Sequence, residues 1–191
     1  MMETKSLLIV GVGGQGTLLG SRIMGKAMMA EGYDVKVSEV HGMSQRGGSV
    51  ITYVRYGGKV YSPVIEAGEA DVIVAFEQLE AARYLSFLKP GGSIVLGVQR
   101  IDPMPVITGS TAYPEGLSGS IREKGVKVLE LDALSLAEKA GSSKAVNVVL
   151  IGAAAKLTDI NKEFWLDAVK ECVPLKFLEL NMKAFALGYG D

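Results

Sequence analysis

Residues 6–24 read SLLIVGVGGQGTLLGSRIM, and this stretch decides the fold. Ser6–Val10 is apolar on consecutive residues, as a strand covered on both faces would be. Gly11, Gly13 and Gly16 then satisfy G-x-G-x-x-G, and Gly14 adds a further glycine. From Thr17 to Glu31, Leu19, Ile23, Ala27 and Ala30 fall on one face of a helix. Strand, glycine turn and helix in this order predict a loop that brings backbone close to a ligand. The N–H groups opening the helix would face an anion.

The same alternation continues along the chain. Asp34–Val40, Asp71–Glu77, Ser93–Gly97 and Val126–Leu131 read as strands, with helical segments between them. SVITYVRYGGKVYSPV (49–64) reads as two strands joined at Gly57-Gly58, an antiparallel hairpin at one sheet edge. A helix is expected over Gln78–Leu88, ended by KPGG. Ser142 or Ser143 can cap KAVNVVLIGAAAKL, which is apolar nearly all round and so expected to be buried. Asn161 can cap KEFWLDAVKEC, and a last helix starts near Pro174. Gln99–Ser120 gathers Pro103, Pro105 and Pro114 and is expected to be an irregular excursion over the end of the sheet. These elements predict a single domain over residues 1–191, an α/β fold. It is three-layer and Rossmann-like, with a mostly parallel sheet and an antiparallel edge hairpin.

Composition narrows the function. The 191 residues are 48% hydrophobic with 20 basic and 21 acidic side chains, and no basic run marks a nucleic-acid groove. The longest apolar stretch, Val146–Ala155, is broken by Asn147 and Gly152 and is too short to span a bilayer. The N-terminus reads as a first strand and not as a signal peptide, so a cytoplasmic protein is expected. Cys172 and His41 are each the only residue of their kind. Alone the chain lacks the ligands for an iron–sulfur cluster or a structural zinc, and it offers no metal site or catalytic residue.

Two glycine loops remain as candidate sites. In the first, Gly11, Gly13 and Gly16 could hold NAD, with Glu39 at the end of the next strand on the ribose. They could equally form a tight turn that binds no nucleotide. The second, EVHGMSQRGGSV (39–50), leads into a hairpin where a nicotinamide domain usually enters a helix. Arg46 offers a planar fork to a phosphate or carboxylate, and Ser44 and Gln45 add neutral donors. His41 lacks a visible catalytic partner and reads as structural.

GVGGQGTLLGSRIM, SEVHGMSQRGGSV and VYSPVIEAGEADVIVAFEQLEAARYL together resemble the gamma-type domain of 2-oxoacid:ferredoxin oxidoreductases. NVVLIGAAAKL and ELNMKAFALGY extend the resemblance over almost the whole chain. The HGMSQRGG form is most similar to the indolepyruvate branch, in its small (beta) subunit. The resemblance implies a non-cluster subunit of a heteromeric complex, inactive alone, that turns an arylpyruvate into an aryl-acetyl-CoA. Thiamine diphosphate and iron–sulfur clusters would sit on a larger partner chain, with ferredoxin as electron acceptor. It further implies that coenzyme A meets Gly11, Gly13, Gly14, Gln15 and Gly16, with Ser44, Gln45, Arg46 and Gly47. The rival readings are a stand-alone NAD-dependent dehydrogenase and a scaffold subunit that touches no cofactor.

Overall fold

The computed structural model describes residues 3–42 and 47–190. Its strands are β1 (Lys5–Val12), β2 (Asp34–His41), β3 (Ser49–Gly57), β4 (Ala70–Ala75), β5 (Leu88–Gly97) and β6 (Lys127–Leu131). They form one sheet in the order β2-β3-β1-β4-β5-β6. β1, β4, β5 and β6 pair in parallel, whereas β3 is antiparallel to both β1 and β2. The three-layer, mostly parallel α/β fold expected from the sequence is therefore the one observed.

The antiparallel edge pair is present, but it is built differently. It consists of β2 and β3, and the expected second strand after Gly58 does not form. The reason is edge saturation: β3 already bonds to β1 on one side and β2 on the other, so no edge is left for residues 59–64. That segment instead lies across the sheet with Val60 and Ile65 buried. Arg55 Nη1 donates to Val64 O and Val60 N donates to the Asp34 carboxylate, 2.8 and 2.9 Å away.

The helices are α1 (Thr17–Ala30), α2 (Gln78–Arg83), α3 (Met104–Ile107), α4 (Leu117–Glu123), α5 (Ala133–Ala140), α6 (Val146–Ala155), α7 (Lys162–Cys172) and α8 (Leu178–Tyr189). The period-two pattern of β1 sorts them into layers. Leu7 and Ile9 face a core shared with α1, α5, α6, α7 and α8, while Leu8 and Val10 face a smaller one under α2 and α4. α2 stops at Arg83, short of the expected Leu88, because Leu88 already pairs with Ala70 in β5. Asn161 caps α7 through Glu163 N. Ser142 Oγ accepts from Lys144 N in the short turn that leads into α6.

As its composition predicts, α6 is buried on every side from Asn147 to Ala155. It meets α8 backbone to backbone. A Cβ on Gly188 would stand 1.9 Å from Val149 O, and one on Gly152 would stand 2.3 Å from Phe185 O. No side chain can be accommodated there without parting the two helices.

α1 leaves β1 toward one face, and α2 leaves the adjacent β4 toward the other. Such a switch opens a crevice at the carboxyl ends of the two strands, where α/β proteins bind ligands. Among the described residues, no helix is long and apolar enough to cross a membrane.

Gly188→Ala is expected to cost about 3 kcal/mol or more, since the overpacking falls on backbone and not on a movable side chain. At Gly119 in α4 an added Cβ would meet nothing within 4 Å, so Gly119→Ala should stabilise by up to about 1 kcal/mol. Urea unfolding of the two variants beside the wild type reads both effects.

Candidate functional site

The glycine loop runs from the end of β1 into α1, and its shape follows from one side chain. Gln15 folds back so that its Oε1 accepts from Val12 N at 2.7 Å. Its Nε2 donates to Phe76 O at 3.2 Å and to Gln99 Oε1 at 3.0 Å. Both amide hydrogens and the oxygen are thus spent inside the protein. Gly16 adopts φ +83, in the left-handed region that favours glycine, and a Cβ there would come within 2.6 Å of Asn147 Nδ2. Asn147 Nδ2 in turn donates to Gly16 O, tying the start of α6 to the start of α1.

The loop separates two cavities. The first, about 820 Å³, is lined by Gly13–Gly16, by Gln99 and Ile101 after β5, and by Leu134, Ser143, Lys144, Val146 and Asn147. Among the described residues Lys144 is the sole charged member of this lining, and the first turns of α1 and α6 both open beside it. Backbone N–H groups, two helix dipoles and one ammonium make this wall favourable to an anion. A narrower annex of about 170 Å³ continues between Phe76, Val98, Ala133 and Leu134, with Asp132 also in its lining.

The second cavity, about 400 Å³, lies on the other side of the loop against Glu39, His41 and Val50. Glu39 Oε2 accepts from Thr17 Oγ1 at 3.3 Å and from Thr52 Oγ1 at 3.1 Å. Its carboxylate therefore ties α1 to β3, a structural role not foreseen in the sequence. β3 also stands between β1 and β2, setting Glu39 one strand spacing, about 4.8 Å, farther from β1 than when the two strands are neighbours. The negative cavity is the poorer of the two for a pyrophosphate.

The structure thus brings Gly13, Gly14, Gln15 and Gly16 to one cavity wall. Gly11 is buried inside β1, paired with Val50, and does not line that wall. Gly47 lies beside the loop with φ +77, and Gly13 N donates to Gly48 O at 2.8 Å, binding the two glycine segments together. Ser44, Gln45 and Arg46 lie outside the described residues. Gln99, Lys144 and Asn147 were not singled out from the sequence as site residues. Only Asn147 left a signal there, as a polar break in an apolar helix.

Beneath the site, Ser49 at the start of β3 is held by α2. Glu80, 3% exposed, accepts from Ser49 Oγ at 2.5 Å and sits 3.4 Å from Arg83. Burial pushes its carboxyl pKa up, against the opposing pull of Ser49 and Arg83.

The profile of the family described as pyruvate ferredoxin/flavodoxin oxidoreductase matches residues 6–190. The chain belongs to this family. It is 43% identical to the indolepyruvate oxidoreductase subunit IorB of Pyrococcus horikoshii, over 98% of this chain and 95% of that one. The same subunit of Thermococcus kodakarensis is 42% identical over the same shares. In structure the chain is similar to the gamma subunit of a keto/oxoacid ferredoxin oxidoreductase from Geobacter sulfurreducens. The TM-score is 0.71 at 26% identity, covering 97% of this chain and 96% of that one. The resemblance drawn from the two glycine loops is the relationship these comparisons show.

Two outcomes are expected here. Gln15→Ala orphans the Val12 N–H and should cost about 2 kcal/mol in urea unfolding. Glu80 binds its proton more tightly folded than unfolded, so its contribution to stability is lost as pH rises from about 4.5 through the raised value. Glu80→Gln should flatten that loss, its stability relative to wild type improving as pH rises from about 4.5 toward neutrality.

Proposed function

We propose that this chain is the small, non-cluster subunit of an indolepyruvate:ferredoxin oxidoreductase. A larger partner chain would carry thiamine diphosphate and the iron–sulfur clusters. The observation that carries this reading is identity above 40% to indolepyruvate oxidoreductase subunits along nearly the full length of both chains. The overall reaction joins an arylpyruvate and coenzyme A to give aryl-acetyl-CoA and carbon dioxide. Two electrons pass to ferredoxin. Thiamine diphosphate supplies decarboxylation, and the clusters supply electron transfer. With one cysteine in 191 residues, this chain cannot ligate a cluster by itself. We place the complex in the cytoplasm.

Within the complex the chain's own task is to hold coenzyme A. The first cavity supports this: it pairs glycine-loop amides and Lys144 with a mainly apolar annex that includes Asp132, and among the described residues no carboxylate lines its main chamber. The pyrophosphate would meet the amides of Gly14 and Gly16 at the start of α1, since Gly13 N and Gln15 N already donate to Gly48 O and Val12 O, with Lys144 opposite. Ser44, Gln45, Arg46 and Gly47 join the proposal through the sequence, as phosphate contacts from the second loop. Gln15 serves by fixing the loop and not by touching the ligand. A dehydrogenase reading would put NAD ribose on Glu39, whose carboxylate is already engaged by two threonines.

Purification of the tagged chain from its host without oxygen should bring down a larger chain containing thiamine diphosphate and iron. A lone protein retaining NAD would refute the assembly. In the intact complex, Lys144→Ala should raise the KM for coenzyme A about tenfold with kcat nearly unchanged, the loss of about 1.4 kcal/mol of binding. An unchanged KM would leave only a scaffold.

A further inference from the structure

Between Val98 and Gly116 the chain makes a long excursion whose sole helix is the four-residue α3. This excursion contributes Gln99 and Ile101 to the wall of the larger cavity. Its outer residues are open: Met104 and Ile107 are each 65% exposed. In the whole stretch from 98 to 116 only Tyr113 is buried. A segment so poor in core contacts would be expected to wander unless something else holds it.

What holds it is a carboxylate. Glu77, at the end of β4 and the N-cap of α2, is fully buried. One of its oxygens accepts from Tyr113 Oη at 2.5 Å and from Ile101 N at 3.2 Å. The other accepts from Glu80 N at 3.0 Å and so caps α2. Tyr113 Oη also accepts from Leu79 N at 3.1 Å. The Arg100 guanidinium lies 4.3 Å over the Tyr113 ring and is itself paired with Asp102. The neighbouring Gln78 adds Nε2 to Val98 O at 2.8 Å and its backbone N–H to Gln99 O at 3.3 Å.

The chemistry explains why an acid stands at 77. Its three partners all act as donors, and only a carboxylate offers acceptors on both oxygens. A glutamine there would turn its amide hydrogens toward either the Glu80 N–H or the Tyr113 and Ile101 donors. Burying the charge is costly, and three donors offset that cost. The strand-to-helix turn at 76–78 could have been capped by a small polar residue reaching one N–H. The longer side chain reaches a second element as well, the one that walls the cavity.

We infer that Glu77 and Tyr113 are positioning residues for the coenzyme site: together they bolt the 98–116 segment to α2 and so set where Gln99 and Ile101 stand in the cavity wall. This rests on reading the cavity as the coenzyme A site. Gln15 meets the same wall from the other side, since its Nε2 reaches Gln99 Oε1. The bolt and the glycine loop thus fix two facing walls through one glutamine. Neither Glu77 nor Tyr113 lines the cavity, so their effect must pass through the segment they hold.

The test uses the intact complex carrying Tyr113→Phe, an isosteric change that leaves Glu77 two of its donors. Hydrogen exchange of amides 98–113 should quicken about tenfold. The KM for coenzyme A should rise about fivefold with kcat held within about twofold. Glu77→Gln should move both readouts further in the same direction. Unaltered exchange overturns the bolt. Faster exchange with an unaltered KM overturns the positioning role, leaving a local structural bond. Lys144→Ala, measured alongside, separates the two levels. If it leaves the KM unmoved, the coenzyme reading of the cavity fails. If it raises the KM while Tyr113→Phe does not, the inference alone fails.

Discussion

The side-chain amide of Gln15 is the constraint on which the site depends. A glycine-rich turn is loose by composition, and its ability to present N–H groups to an anion depends on being held in one shape. Gln15 supplies that hold by bonding Val12 N, Phe76 O and Gln99 Oε1. These partners come from the ends of β1, β4 and β5, so three strands meet at one carboxamide. Asn147 closes the other side by bonding Gly16 O from α6. The loop is thereby preorganised before any ligand arrives, and little ordering is left for binding to offset.

The reversed strand β3 has consequences beyond topology. By entering between β2 and β1 it displaces β2 to the edge and carries Glu39 with it. The acidic residue that could have taken a ribose instead draws Thr17 and Thr52 together. The two sides of the glycine loop acquire opposite electrostatic character, Lys144 on one and Glu39 on the other. On charge alone an anion would favour the Lys144 side. β3 also delivers the second glycine segment next to the first, where Gly13 and Gly48 bond backbone to backbone.

Buried carboxylates tie the segments together on the far side of the sheet. Glu77 and Glu80 lie within one turn of each other at the start of α2, and each reaches out to a different segment. Glu80 takes Ser49 and thereby the start of β3, while Glu77 takes Ile101 and Tyr113. α2 is only six residues long and contributes little core of its own. Its value lies in joining the second glycine segment to the 98–116 excursion. Two acidic groups out of water are a stability cost that apolar residues would avoid, and here that cost falls at the turn from β4 into α2.

The sequence by itself determined the elements and their class. Hydrophobic period and glycine position depend on residues a few places apart, so α1, the parallel strands and the all-round burial of α6 were legible. So was the family, because the two glycine loops carry it in contiguous residues. From the residues themselves the site was legible where it is backbone, since Gly13, Gly14 and Gly16 announce themselves by lacking a side chain, and Gln15 came with the family resemblance. Tertiary structure alone decided the rest. The order of the strands, the saturation of β3 and the pairing of Gln15 with Gln99 join residues up to 84 positions apart. Lys144 faces the glycine loop, and Tyr113 finds Glu77, because helices and strands distant in sequence stack against one sheet. Local pattern cannot encode such meetings, since the same side chains in another strand order would never come within hydrogen-bonding reach.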